Sequence, residues 1–244
     1  MALIDWGRKI DYEGNAGVPA GLDVGKCYDL HLFGELGNPQ GVVLWVVVVC
    51  HFKFKEKGEK NWADAVAWTA GQQDSFKNDF KALCESTWSD QFKIRTSNAS
   101  GNSPTTASVV ITVRTDGTYW GSHYSIDVYN VSQSKERSFV DGNNGSEFES
   151  VGLIERISSH GTKERRALVH EFGHFLGLRD EYLAGGKKFT PTYQSDDDSI
   201  MHSWKLVRPR HYVFFADWLT KCNKLTGTWA VDGNPPRTLQ NTPM

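Results

Sequence analysis

Several absences bound what this chain of 244 residues can be. It has no long apolar run. The strongest, residues 42–50 (VVLWVVVVC), is far shorter than the roughly 20 residues that a membrane-spanning helix needs, and it reads as a buried strand. It has no excess of charge. Lys and Arg number 27 against 29 for Asp and Glu, a net charge of -2, so nothing favours nucleic acid or an anionic membrane as partner. Its four cysteines, Cys27, Cys50, Cys84 and Cys222, form no C-x-x-C pair. That excludes a zinc knuckle or a thioredoxin-type motif, and free buried thiols are the plainer reading than a disulfide framework. There is no internal repeat. The opening MALIDWG lacks the basic segment and apolar stretch of a secretory leader, so the expected location is cytoplasmic, or outside by a leaderless route.

What is present is a globular pattern. With 39% hydrophobic and 12% aromatic residues the chain can bury a sizeable core, and its length fits one domain of two lobes around a cleft. Residues 1–40 are Gly-rich and irregular. Residues 42–54 read as a β-branched strand and 62–88 as a helix with Phe76, Phe80, Leu83 and Cys84 on one face. Shorter strands follow at 92–96, 107–114, 123–131 and 151–157, with polar loops at 97–106 and 132–149. Thr162 suits the N-cap of a further helix, Glu164 suits its first turn, and Gly177 suits its end. Residues 179–207 are irregular. Pro209 opens a last helix to about Lys224, with Phe214, Trp218 and Cys222 on one stripe. The expectation is an α+β fold: a mixed, mostly parallel five-stranded sheet with two helices, then a smaller lobe. One domain fills 1–244, with lobes at 1–177 and 178–224 and a tail at 225–244.

Chemistry concentrates in residues 170–182, HEFGHFLGLRDEY. His170 and His174 are four apart on a helix, so both imidazoles lie on one face and reach one ion. Catalytic zinc takes three protein ligands and leaves a position for water. Glu171, directly after the first histidine, sits beside the ion and can act as base toward that water. Gly177 can adopt the left-handed conformation that turns the chain back, bringing Asp180 round as third ligand. The pattern is H-E-x-x-H-x-x-G-x-x-D.

These residues resemble the metzincin metallopeptidases, whose motif is H-E-x-x-H-x-x-G-x-x-H with a methionine turn downstream. Residues 199–202 (SIMH) look like that turn, with Met201 as its methionine. The order strand, helix, four strands, metal helix, turn and C-terminal helix also fits, over roughly residues 42–224. The resemblance implies a metzincin-like fold, a Zn²⁺ cofactor, and a protein or peptide substrate lying extended along an edge strand, best matched by 123–131. It departs from the family at Asp180, where His is usual; Asp there is similar to the snapalysin-type bacterial peptidases. It departs again at Ser203, where several members carry a Tyr. Tyr182, Tyr193, His202 and Tyr212 are then the candidates to stabilise an oxyanion. A bacterial origin fits the Asp variant, and a secreted or injected effector or toxin is the role a leaderless peptidase invites.

Alternatives remain open. Glu181 stands beside Asp180 and competes with it as ligand. Met201 can be ordinary core. His51, His123, His160 and His211 read as ordinary polar residues. Asp196, Asp197 and Asp198, and the stretch 141–149, are candidate Ca²⁺ ligands, but neither fits an EF-hand loop. Two histidines and a carboxylate also make the facial triad of non-haem iron oxygenases, though Glu171 has no clear role there. A module that keeps the metal for structure alone has no need of Glu171. A monomer is the default.

Overall fold

The computed structural model describes residues 6–16, 27–56, 65–96, 103–118, 120–132, 138–140, 146–153, 156–157, 164–165, 167–182, 193–202 and 205–233. Ten strands occur among them: β1 (Trp6–Ala16), β2 (Tyr28–Glu35), β3 (Asn38–Lys55), β4 (Ile94–Thr96), β5 (Thr106–Arg114), β6 (Tyr124–Tyr129), β7 (Ser146–Glu149), β8 (Arg156–Ile157), β9 (Glu164–Arg165) and β10 (Trp229–Val231). The α-helices are α1 (Ala70–Trp88), α2 (Ala167–Phe175) and α3 (Val213–Lys221). The class is α+β, but the main sheet has eight strands rather than five.

The sheet is also less parallel than expected. Its middle is parallel, with β5 and β6 both pairing with β3, and β7 with β6. Around this middle the pairs β1–β2, β2–β3, β4–β5 and β4–β10 are antiparallel. The added strands lie where a sequence pattern is weakest. β1 and β2 fall in the Gly-rich opening read as irregular, and β10 in the segment read as tail. β2 and β3 form a hairpin across Leu36 and Gly37, the latter at φ +78°, where glycine carries no steric cost. Residues 150–153 form a 3₁₀ turn rather than the start of a strand. Of the strand expected at 151–157 only the end is present, as β8, and β7 lies just before it inside a stretch read as loop.

β3 explains the longest apolar run. Val42, Leu44, Val46, Val48 and Cys50 face the main core, while Val43, Val47 and Val49 on the other face are also buried. A strand covered on both faces has no reason to alternate. α1 begins at Ala70, later than expected, because Thr69 closes a capping box with Gln72. Phe76, Phe80, Cys84 and Trp88 form its buried stripe, and Leu83 is only partly covered. Glu85 is buried on the same helix, paired with Lys81 and accepting the Val113 N–H at 2.8 Å. The C-terminal helix starts as a 3₁₀ turn, Pro209–Tyr212, before α3. Its buried side is Val213, Phe215, Ala216 and Leu219. Phe214 and Trp218 of the expected stripe are half-exposed, and Cys222 lies beyond the helix end.

Three aromatic contacts place α2. Trp88 Nε1–H donates to the Val169 carbonyl at 3.1 Å, joining α1 to α2. The Tyr124 ring stacks on Phe175 at 3.8 Å between centroids, and its hydroxyl donates to the Phe175 carbonyl. Tyr212 donates its hydroxyl proton to the Trp88 carbonyl. The helix thus lies on the sheet with both ends pinned. No helix among the described residues is long and apolar enough to cross a membrane.

Candidate metal centre

α2 is apolar around most of its circumference, which buries His170 and Glu171 to 2% exposure. It ends in a Schellman motif. The Leu178 N–H donates to the Gly173 carbonyl, the Gly177 N–H to the His174 carbonyl, and Gly177 takes φ +87°. That reversal carries residues 178–182 back past the helix, as the glycine spacing predicts. The N-cap expected at Thr162 lies outside the described residues. Glu164 sits in β9 rather than in a first turn, since α2 starts at Ala167.

The reversal sets the chemistry of both imidazoles. His170 Nδ1–H donates to the Ile200 carbonyl at 2.7 Å, and His174 Nδ1–H to the Leu178 carbonyl at 2.7 Å. A carbonyl oxygen only accepts, so the ring proton must sit on Nδ1 and each Nε2 offers a lone pair. Both Nε2 atoms converge on one carboxylate oxygen, Asp180 Oδ1, at 3.2 Å from His170 and 3.4 Å from His174. Two lone pairs against a carboxylate repel unless a proton or a metal ion lies between them. Burial works against a proton on His174, but Asp180 and Glu171 outweigh it and hold its pKa above the ordinary imidazole value.

The three side chains form a group able to hold a metal ion, with ligand atoms all within 4.8 Å of one another. The two edges at Asp180 are 3.2 and 3.4 Å, close to the edge of about 3.3 Å in a tetrahedron with ligand bonds of about 2.0 Å. A metal-binding imidazole usually donates its other ring N–H to a carbonyl or carboxylate, as both do here. Glu171 Oε2 lies 3.8 Å from His174 Nε2, beside the group and outside it. Glu181 turns the other way. Arg210 grips it with Nε and Nη2 at 2.7 and 2.8 Å, leaving Asp180 as the carboxylate that faces the histidines.

Met201 is fully buried beneath α2. A Cβ built on Gly173 would come within 2.3 Å of its sulfur, so the glycine inside the H-E-x-x-H motif makes room for the methionine. Of the four candidate oxyanion donors, Tyr182 lies near His170. The Tyr182 ring is 6.1 Å from the His170 ring, and His202 is 5.8 Å from Tyr182. Tyr212 is sequestered against Trp88 and Gln91, and Tyr193 lies under the Arg210 guanidinium at 4.2 Å. Ser203 lies outside the described residues. Asp196 is held by Arg208 and Arg210, and Asp197 faces His202. The edge expected at 123–131 is not one. β6 lies between β3 and β7, and Phe139 bridges the outer side of β7 antiparallel.

The sequence reading missed the groups behind the ligands: Trp88, Ser199, Arg210 and His211. Only Gly173 carried a local signal, as a helix-interior glycine between two histidines. No family model, curated protein or solved structure matches the chain.

Proposed function

We propose that this protein is a zinc-dependent endopeptidase of metzincin type. One observation carries the reading: a buried carboxylate, Glu171, stands next to three converging donors without joining them. A purely structural site has no use for that arrangement, and structural zinc is normally closed by four ligands. The element order supports the same reading. It runs from β3 through α1 to the parallel strands β5, β6 and β7, then the metal helix, the Met201 turn and α3.

His170, His174 and Asp180 would hold the ion. Zinc there supplies Lewis acidity toward a water and a peptide carbonyl. Glu171 takes the proton of the attacking water on a carboxylate oxygen and returns it to the departing nitrogen. Its burial keeps the carboxylate poorly hydrated and near its task. Asp180 lowers the net charge of the site, and Tyr182 lies next to His170, with His202 as its other ring contact. The substrate is an extended protein or peptide segment.

The test is cleavage of a mixture of unfolded proteins by the zinc-loaded protein beside its Glu171→Ala variant, read by mass spectrometry. Cleavage by the wild type alone is expected. No cleavage with zinc bound in stoichiometric amount overturns the peptidase reading, and iron in place of zinc in metal analysis redirects it to oxygen chemistry.

A further inference from the structure

Asp180 and Met201 are 21 residues apart in sequence, yet one side chain reaches the residue after the first and the segment just before the methionine turn. Arg210, in the 3₁₀ turn before α3, donates to both carboxylate oxygens of Glu181 at 2.7 and 2.8 Å and to Asp196 Oδ2 at 2.6 Å. The Tyr193 ring lies against its guanidinium. Arg208 grips Asp196 from the other side with two further bonds. The pair is enclosed, at 15% and 10% side-chain exposure, so its geometry is held and little screened.

Two routes lead from this pair to the metal ligands. The first is short. Glu181 follows Asp180 directly, and the Glu181 N–H donates to the Met201 carbonyl at 2.9 Å. Fixing Glu181 at both its backbone and its carboxylate fixes the peptide that carries Asp180. The second runs through His211. Its Nδ1 accepts the Arg208 N–H at 3.1 Å, so its proton sits on Nε2. From there it faces Glu181 Oε1 at 3.3 Å and Ser199 Oγ at 3.4 Å. Burial pushes the His211 pKa down, in keeping with this neutral form. Ser199 Oγ accepts the Met201 N–H, and Ile200 between them supplies the carbonyl that orients His170.

We propose that Arg210 is a positioning residue of the metal site: through Glu181 it aims Asp180, and through the Met201 turn it aims His170. The inference rests on the reading of His170, His174 and Asp180 as zinc ligands. It distinguishes Arg210 from a residue that merely ties the C-terminal lobe to the body. A lobe tie changes how much protein is folded; a positioning residue changes how the folded protein binds metal.

The experiment measures zinc affinity by competition with a chelator, and the visible absorption of the cobalt-loaded protein, for wild type, Arg210→Met, Arg210→Lys, Glu181→Gln and His174→Ala. Folding of each metal-free protein is checked by circular dichroism at the assay temperature. Arg210→Met is expected to bind zinc about 10–100-fold more weakly, the range for lost outer-shell partners, with an altered cobalt spectrum. Arg210→Lys keeps the charge without the two-pronged grip and falls between. If Arg210→Met fails to fold, Arg210→Lys and Glu181→Gln carry the test. Wild-type affinity and spectrum in all folded variants, with only their melting temperatures lowered, overturns the proposal. A wild type that binds neither metal, so that His174→Ala changes nothing, overturns the metal-site reading beneath it instead.

Discussion

The sheet and the segment that carries His170, His174 and Asp180 differ in what sets their geometry. Around β3 the main core contains Leu30, Leu32, Val42, Leu44, Val46, Val48, Val109, Ile111 and Ile126, all at most 2% exposed. Each of these side chains is one among many, and apolar burial is non-directional, so the loss of one leaves the rest in place. Between Ala167 and Tyr212 the same apolar core continues through Phe172, Phe175 and Met201, but the polar side chains are aimed by directional bonds: His170 to Ile200, His174 to Leu178, Trp88 to Val169, Glu181 to Arg210. Changes in the two regions should therefore separate in experiment.

The largest effect belongs to the site. Glu171→Gln is expected to lower peptide cleavage about 10²–10⁴-fold, the usual worth of a general base. Zinc affinity and melting temperature should stay near wild type, because Glu171 stands outside the ligand group. Paired turnover and metal-binding measurements check this. A variant that loses metal along with activity would make Glu171 a ligand and blur the contrast. The opposite case is Leu44→Ala in β3, fully buried and far in sequence from the motif. It should cost about 2–5 kcal/mol in denaturant unfolding. The fraction that remains folded should bind zinc with unchanged affinity.

The same contrast explains what could be read from the sequence. The His170–His174 spacing, the turn at Gly177 and the return of Asp180 are local, each settled within a few residues, and they were legible. So was β3, whose residues are apolar whichever way they face. β1 and β2 were not, because Trp6–Ala16 carries Arg8, Lys9, Asp11 and Glu13 and becomes a strand only by pairing with β2, itself placed by β3. β7 has four residues and exists because β6 offers it an edge. The edge strand expected at 123–131 was misplaced for the same reason, since which strand ends a sheet is decided by neighbours distant in sequence. Glu181 and Arg210 are 29 residues apart and announce nothing to each other.

Gly173→Ala tests the joint between the two halves. Alanine favours a helix interior over glycine by about 1 kcal/mol. Against that, the new Cβ would lie 2.3 Å from Met201 Sδ and 3.1 Å from Trp88 Cζ2, and overpacking of this kind costs about 1–3 kcal/mol. Met201 is fully buried, so its side chain can move only by displacing packed neighbours, and the second effect should win by about 1 kcal/mol. Because the displaced turn also holds Ile200, the variant should lose more stability in zinc than in chelator. Equal losses in both would show that Met201 is core and no more.

The smallest effect tests how far the ionic cluster matters to folding itself. Burial opposes ionisation of Asp196, but Arg208 and Arg210 outweigh it and hold its carboxyl below the ordinary value. A folded pKa below the unfolded one makes a contribution that is complete above the ordinary carboxylate pKa of about 3.9 and is lost as pH falls through the folded value. Solvent reaches this carboxylate, so the contribution should be about 1 kcal/mol or less. Asp196→Asn should therefore unfold slightly more easily than wild type at neutral pH, and the gap should close in acid. A gap that persists at low pH would mean that the loop is held by the shape of Asp196 and its backbone bonds rather than by its charge. In that case the arginines act on the metal site through Glu181 alone.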